Sequence, residues 1–206
     1  MISIVNYGMG NIRSVQSALA FLGIENRVAN SADEILTSDK LILPGVGSFR
    51  QAMDNISDRG LLEPLCRAVS ELGVPILGIC LGMQLLAESG DEDGPADGLG
   101  WIPGEVKRFQ FSDPTLKVPH VGFNSVQFEN RSCPLFARLG SEADFYFVHS
   151  YRFVTNQLQW APAWTEYGER FSSVVWKDNV FGTQFHPEKS QSNGLKMLRN
   201  FSGLKL

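Results

Sequence analysis

Short apolar runs alternate with amphipathic stretches through the first ninety residues. Residues 2–7 read as a first buried strand, closed by Gly8-Met-Gly10. Ile12, Val15, Leu19 and Leu22 then recur at helical spacing until Gly23 stops the helix. A second short strand is expected over 24–29, and Ser31-Ala-Asp-Glu34 has the form of a capping box that opens a brief helix. Residues 41–43 predict a third strand running into Pro44-Gly-Val-Gly47. Leu61, Leu65, Val69 and Leu72 predict another amphipathic helix. The next apolar run, Ile76, Leu77 and Ile79, ends in Gly78-Ile-Cys80-Leu-Gly82, and a helical pattern follows at once. Strand and helix in alternation to about residue 88 imply a parallel sheet with crossover helices, an α/β fold.

The pattern then changes. Residues 91–98, Asp-Glu-Asp-Gly-Pro-Ala-Asp-Gly, form a polar, turn-rich loop, expected to be the least structured part of the chain. From Trp101 to Phe185 the segments are short, β-branched and aromatic, broken by Gly, Pro and Asn, which predicts antiparallel strand pairs in the C-terminal half. Phe145, Phe147, Tyr151 and Phe153 alternate as core positions of a strand, and a last helix carries Leu195, Leu198 and Phe201 on one face. No internal repeat or linker divides the sequence, so residues 1–206 are expected to form one domain.

Composition narrows the function classes. The net charge is −4 and no basic stripe occurs, which argues against a nucleic-acid partner. The opening residues lack the basic n-region of a signal peptide, and no apolar run approaches membrane-spanning length. Three cysteines, Cys66, Cys80 and Cys133, are odd in number and lack metal-type spacing; they suit a reducing cytoplasm and imply neither metal nor cofactor. Gly8-Met-Gly10 is no dinucleotide fingerprint, because Arg13 stands where its third glycine would be.

The candidate chemistry centres on Cys80. Strand, sharp turn with flanking glycines and helix form a nucleophile elbow with Cys in place of Ser. Such a turn holds its central residue in strained backbone, lifts the thiol out of the sheet and aims a helix N-terminus at it, which favours the thiolate. The competing reading is a small hydrophobe buried at a strand end. His186, in Phe181-Gly-Thr-Gln-Phe-His-Pro-Glu188, sits where a strand ends, and Pro187 fixes the backbone so that Glu188 can hold the imidazole. A surface histidine with a chance neighbour is the alternative. His120 and His149 have no carboxylate close behind them. Backbone donors for an oxyanion are expected at Leu81, after the nucleophile, and in Pro44-Gly-Val-Gly47, whose glycines let a peptide approach a ligand or rotate; the latter is otherwise an ordinary strand-to-helix turn.

Pro44-Gly-Val-Gly47, Gly78-Ile-Cys80-Leu-Gly-Met-Gln84 and His186-Pro-Glu188, in this order and spacing, resemble the class I (triad) glutamine amidotransferases, a flavodoxin-like open, mostly parallel sheet flanked by helices. Asn6-Tyr-Gly-Met-Gly-Asn11, Gly98-Leu-Gly-Trp-Ile-Pro103, Val118-Pro-His-Val-Gly-Phe-Asn124, Tyr146-Phe-Val-His-Ser-Tyr151 and Phe185-His-Pro-Glu-Lys-Ser190 are similar to the glutaminase subunits of imidazole glycerol phosphate synthases. The resemblance implies Cys80 as nucleophile, His186 as acid and base, Glu188 as its orienter, and the N–H groups of Val46 and Leu81 as oxyanion donors. It implies Gln84, Gly47, Glu92, His149, Ser150 and Tyr151 as contacts to L-glutamine. Asn11, Phe123 and Lys189 match positions that face a (β/α)8 cyclase partner in a heterodimer, to which ammonia passes directly in histidine biosynthesis.

Two positions depart from the usual Pro-His-Met-Gly-Trp-Asn motif: Val121 and Phe123 replace Met and Trp. Thr183 also replaces the commoner Val. A paralogous glutaminase that supplies ammonia to a surface-sugar amidotransferase is one alternative. A stand-alone γ-glutamyl cysteine hydrolase and a non-catalytic subunit with the same fold are two others.

Overall fold

The computed structural model describes residues 1–205. The first half of the chain winds β1 (Ile2–Val5), α1 (Ile12–Phe21), β2 (Asn26–Ala29), α2 (Ala32–Leu36), β3 (Lys40–Gly45), α3 (Phe49–Asp58), α4 (Leu62–Cys66), β4 (Ile76–Cys80) and α5 (Leu81–Gln84). The second half supplies β5 (Ser89–Gly90), β6 (Ala96–Asp97), β7 (Glu105–Arg108), β8 (His120–Phe128), β9 (Glu142–His149), β10 (Tyr151–Val154), β11 (Ala163–Tyr167), β12 (Glu169–Lys177), β13 (Val180–Thr183) and α6 (Gln191–Ser202).

One nine-stranded sheet runs in the order β2-β1-β3-β4-β13-β12-β11-β8-β9. The first five of these strands are parallel; the rest join antiparallel, so the C-terminal half extends the sheet begun by the N-terminal half. A smaller sheet, β10-β7-β5-β6, pairs separately and meets the large one where β10 packs against β12. The central parallel strands are buried: every position of β1, β4 and β13 is, whereas the edge strand β2 is half-buried over Asn26–Val28. Continuous apolar strands of this kind need helices on both faces, and two apolar clusters form on the sheet. One gathers Ile4, Leu19, Leu77, Phe145, Phe185 and Phe201; the other gathers Val5, Leu43, Phe49, Leu65, Met83 and Phe153.

Local signals account for the helix ends. Gly23 takes a φ of 68° just beyond α1, a backbone conformation that suits glycine. Ser31 and Glu34 form the reciprocal capping box: the Glu34 N–H donates to Ser31 Oγ at 3.4 Å and the Ser31 N–H to Glu34 Oε2 at 3.1 Å. Such a cap is worth about 1 kcal/mol.

Three local expectations change. Phe145 and Phe147 lie on β9 and Tyr151 and Phe153 on β10, strands of different sheets; the shared alternation is interrupted at Ser150. The helix expected to run from Leu61 to Leu72 is α4 followed by a π-helical turn over Arg67–Glu71, and the widened turn rotates Leu72 out to 55% exposure. The polar segment 91–98 is closed by pairing of β5 with β6, so it is a short hairpin. The sequence reading also lacked α3, whose Phe49, Ala52, Met53 and Ile56 face the core. No described helix is long and apolar enough to cross a membrane.

Candidate active site

Three adjacent parallel strands end together, and their ends carry the chemistry. In the ladder of β3 and β4, Gly45 is opposite Cys80; in that of β4 and β13, Thr183 is opposite Ile79. Val46 follows β3, Cys80 ends β4, and His186 lies three residues beyond β13. The carboxyl ends of neighbouring strands in an open α/β sheet are where ligands bind. Val46, Gly47, Cys80, Leu81, Gln84, Glu92, Val148, His149, Ser150, Tyr151 and His186 line one cleft of about 210 Å³ there.

Cys80 turns at φ 54°, ψ −109°, a conformation that costs a non-glycine residue of order 1–3 kcal/mol. The flanking glycines make the turn possible. A Cβ on Gly82 would run into the Leu43 carbonyl, and one on Gly78 into the Gly82 backbone. The helix that follows, α5, is four residues long.

Cys80 is 7% exposed. Its Sγ donates to the Val148 carbonyl at 3.7 Å and accepts from Gln184 Nε2 at 3.8 Å. Gln184 was not singled out from the sequence. It is fully buried, and its Oε1 accepts from Gln84 Nε2 at 3.1 Å. That same nitrogen donates to the Tyr151 carbonyl at 2.9 Å. Two side-chain amides therefore link the strand end at Tyr151 to the thiol. Only the position of Gln184, beside His186 in sequence, hinted at this.

His186 is held from three sides. Its Nδ1 donates to Glu188 Oε1 at 2.8 Å, with both side chains almost wholly buried. Its backbone N–H donates to the Tyr146 carbonyl at 2.9 Å, and Ser190 Oγ donates to the His186 carbonyl at 2.6 Å. The neighbouring Phe185 ring stacks on Phe145 with centroids 4.0 Å apart. A carboxylate can only accept, so Nδ1 carries the proton and Nε2 is left facing inward, without a hydrogen-bond partner. Burial opposes the charged imidazole, but the Cys80 thiol and the Glu188 carboxylate together outweigh it and raise its pKa to about 10. An imidazolium beside a cysteine favours the thiolate nucleophile.

His149 lines the cleft, but both ring nitrogens are engaged. Nδ1 lies 2.7 Å from the Tyr151 carbonyl, to which it must donate, so Nε2 accepts from His120 Nδ1 at 3.0 Å. Burial depresses its pKa to about 3 and that of His120 to about 4, so both rings are neutral. Neither can serve as the base for a group in the cleft.

Glu92 comes from the β5–β6 turn and accepts from the Phe49 N–H at 3.3 Å. Burial, then the charges of Asp93 and Asp91, raise its pKa despite that bond. A bound ammonium group would favour the carboxylate against all three.

Asn11, Phe123 and Lys189 lie outside the cleft. Phe123, 52% exposed, meets Tyr146 edge-on with centroids 5.6 Å apart, and Lys189 Nζ lies over the Tyr146 ring, 5.9 Å from its centroid. Asn11 heads α1, which packs against the turn Pro187–Lys189. Val121, on the same face of β8 as Phe123, is 56% exposed. Among the described residues no group of three His, Cys, Asp or Glu side chains is placed to hold a metal ion.

The sequence matches the model of the family described as "Glutamine amidotransferase class-I" over residues 3–203. It is 47% identical to imidazole glycerol phosphate synthase subunit HisH of Syntrophotalea carbinolica over 99% of this chain and 100% of that protein. Identity to the subunit of the same name from Moorella thermoacetica is also 47%, over 98% and 94%. Among solved structures, PurLQS from Thermotoga maritima superposes with a TM-score of 0.73 at 19% identity, covering 97% of this chain and 96% of that one; this likeness speaks to the fold alone.

Proposed function

The chain belongs to the class I glutamine amidotransferase family, and from that membership we propose that it is the glutaminase subunit of an imidazole glycerol phosphate synthase, releasing ammonia from L-glutamine for histidine biosynthesis. The observation that carries the reading is the meeting of Cys80, His186 and Glu188 at the end of β4 and beyond that of β13, with Val46 beside them at the end of β3, in a chain 47% identical to subunits of that name over 98–99% of its length. L-glutamine occupies the cleft with its carboxamide at Cys80 and its α-ammonium near Glu92; Gly47, Gln84, Ser150, Tyr151 and the edge of His149 complete the walls.

The Cys80 thiolate attacks the carboxamide carbon, and the N–H groups of Val46 and Leu81 hold the oxyanion. The His186 imidazolium passes its Nε2 proton to the departing nitrogen, and ammonia leaves a γ-glutamyl thioester. The neutral imidazole then takes a proton from water as it adds to the thioester. Collapse of that adduct frees glutamate and restores the thiolate–imidazolium pair. Glu188 keeps the ring in the one tautomer that allows both transfers.

Ammonia released to water would mostly become unreactive ammonium, so a partner must take it directly. The exposed apolar patch of Val121 and Phe123, with Lys189 and Asn11 nearby, suits the face for a (β/α)8 cyclase in a heterodimer. The test is steady-state glutamine hydrolysis by the chain alone, with the cyclase of the same source, and with the cyclase and its nucleotide ligand. Stimulation by cyclase plus ligand is expected, together with its loss in Cys80→Ala. Glutamine turnover indifferent to that cyclase would overturn the histidine assignment in favour of a sugar-modifying acceptor. Turnover of γ-glutamyl peptides in place of glutamine would make the chain a stand-alone hydrolase.

A further inference from the structure

Behind the cleft lies a buried hydroxyl with nothing to bond to. Tyr7 is fully buried, and its Oη has no hydrogen-bond partner. Buried tyrosine hydroxyls nearly always find one. The turn that carries it is pinned: the Asn6 N–H donates to the Ala29 carbonyl at 2.9 Å, Asn6 Nδ2 to Asn30 Oδ1 at 2.8 Å, and the Gly8 N–H to Asn6 Oδ1 at 3.1 Å. The phenol is therefore fixed against Gly45. A Cβ built on Gly45 would fall 2.6 Å from the hydroxyl and 2.8 Å from Gly82 N and Leu81 Cβ. Only a glycine leaves this space open, and it opens onto Leu81 and the Leu81–Gly82 peptide, just beyond Cys80.

Tyr7 contributes nothing to the cleft wall, whereas Val46 does. The hydroxyl thus meets Gly45 where a Cβ would stand, next to the residue before Val46 but outside the cleft lining. In a trans peptide the C=O and N–H point in opposite directions. If the Val46 N–H is aimed into the cleft, the carbonyl of the same peptide, that of Gly45, is aimed away from it. We propose that Tyr7 is a positioning residue of the oxyanion segment, its hydroxyl donating a hydrogen bond to the Gly45 carbonyl when the Gly45–Val46 peptide presents the Val46 N–H to the oxyanion. This rests on the glutaminase reading and adds to it a reason for the peptide to hold its active orientation. Burial and the nearby Cys80 charge raise the phenol's pKa, so it remains a donor throughout the working pH range.

The test is Tyr7→Phe in the full chain, assayed for glutamine hydrolysis with cyclase and nucleotide, beside iodoacetamide alkylation of Cys80 and thermal melting. The kcat is expected to fall about tenfold, equivalent to about 1.4 kcal/mol in the barrier, with KM unchanged. Alkylation, which needs no oxyanion donor, should keep its rate, and the melting temperature should not fall, because the hydroxyl removed has no partner at rest. A kcat within twofold of the unsubstituted chain overturns the proposal. So does a kcat loss accompanied by lower melting temperature and slower alkylation, which would mark an ordinary packing role. If the unsubstituted chain itself fails to hydrolyse glutamine under every condition, the glutaminase reading falls, and this inference with it.

Discussion

The Cys80 Sγ donates to the Val148 carbonyl, 3.7 Å away on β9, while the buried Nε2 of His186 has no partner. In its thiol form Cys80 thus holds a hydrogen bond that is given up when its proton passes to the imidazole. It does so from a backbone conformation that a side chain tolerates poorly.

That conformation gives the first prediction. Alanine is ordinarily more stabilising than glycine, because glycine gains more freedom on unfolding. At φ 54° the order should reverse: Cys80→Gly is expected to be more stable than Cys80→Ala by about 1 kcal/mol. Denaturant melts of the two variants check the sign. Both should lose glutamine turnover by about four orders of magnitude or more.

His186 supplies a pH dependence. Its folded pKa, raised to about 10, lies above the ordinary histidine value of 6.5. The folded state therefore holds the proton more tightly than the unfolded chain does. The stabilisation is fully present below about pH 6.5 and is lost as pH rises through about 10. The melting-temperature advantage of the unsubstituted chain over His186→Gln should shrink across that window and stay flat below it. An advantage that grows with pH would show that the ring is neutral in the folded protein.

Gln184 joins Gln84 to the thiol, with 3.1 Å to the one and 3.8 Å to the other. Gln184→Leu keeps most of the volume but removes the donor to sulfur and the acceptor for Gln84 Nε2. Turnover is expected to fall about tenfold, and alkylation of Cys80 at neutral pH to slow, since a hydrogen bond to sulfur favours the thiolate. Unchanged alkylation with a raised KM would instead place the role of Gln184 in substrate binding through Gln84.

Glu92 should answer in KM. Its pKa is raised by burial and by Asp93 and Asp91, so it loses its charge at a higher pH than an ordinary glutamate. Glu92→Gln is expected to raise the KM for glutamine by about tenfold or more, with little change in kcat. In the unsubstituted chain KM should climb as pH falls, and that climb should vanish in Glu92→Gln. Parallel pH profiles for the two proteins would exclude Glu92 as the ammonium's partner.

Much of the fold and site was legible in the chain because it is local. The elbow needs glycines two residues either side of Cys80, the capping box needs Ser31 and Glu34 three apart, and His186 and Glu188 need only Pro187 between them; each is written in a few adjacent residues. The alternating elements of the first half likewise follow from the spacing of apolar positions. The α3 helix is equally local, with Phe49, Ala52, Met53 and Ile56 at helical spacing.

What tertiary structure decided is which distant segments meet. β13 enters the sheet beside β4, 104 residues later in the chain, and with Thr183 opposite Ile79 it sets His186 against Cys80. A one-residue slip in that register would turn its side chains to the other face, yet nothing in either strand alone states which neighbour it will choose. The strands β9 and β10 read as one aromatic alternation, and only their different partners separate them into two sheets. Gln184, Tyr7 and the His120–His149 pair gain their meaning from contacts 38 to 100 or so residues away or from a partner strand. Local chemistry specified the parts; strand order and register, set by burying two apolar faces of one sheet, brought them together.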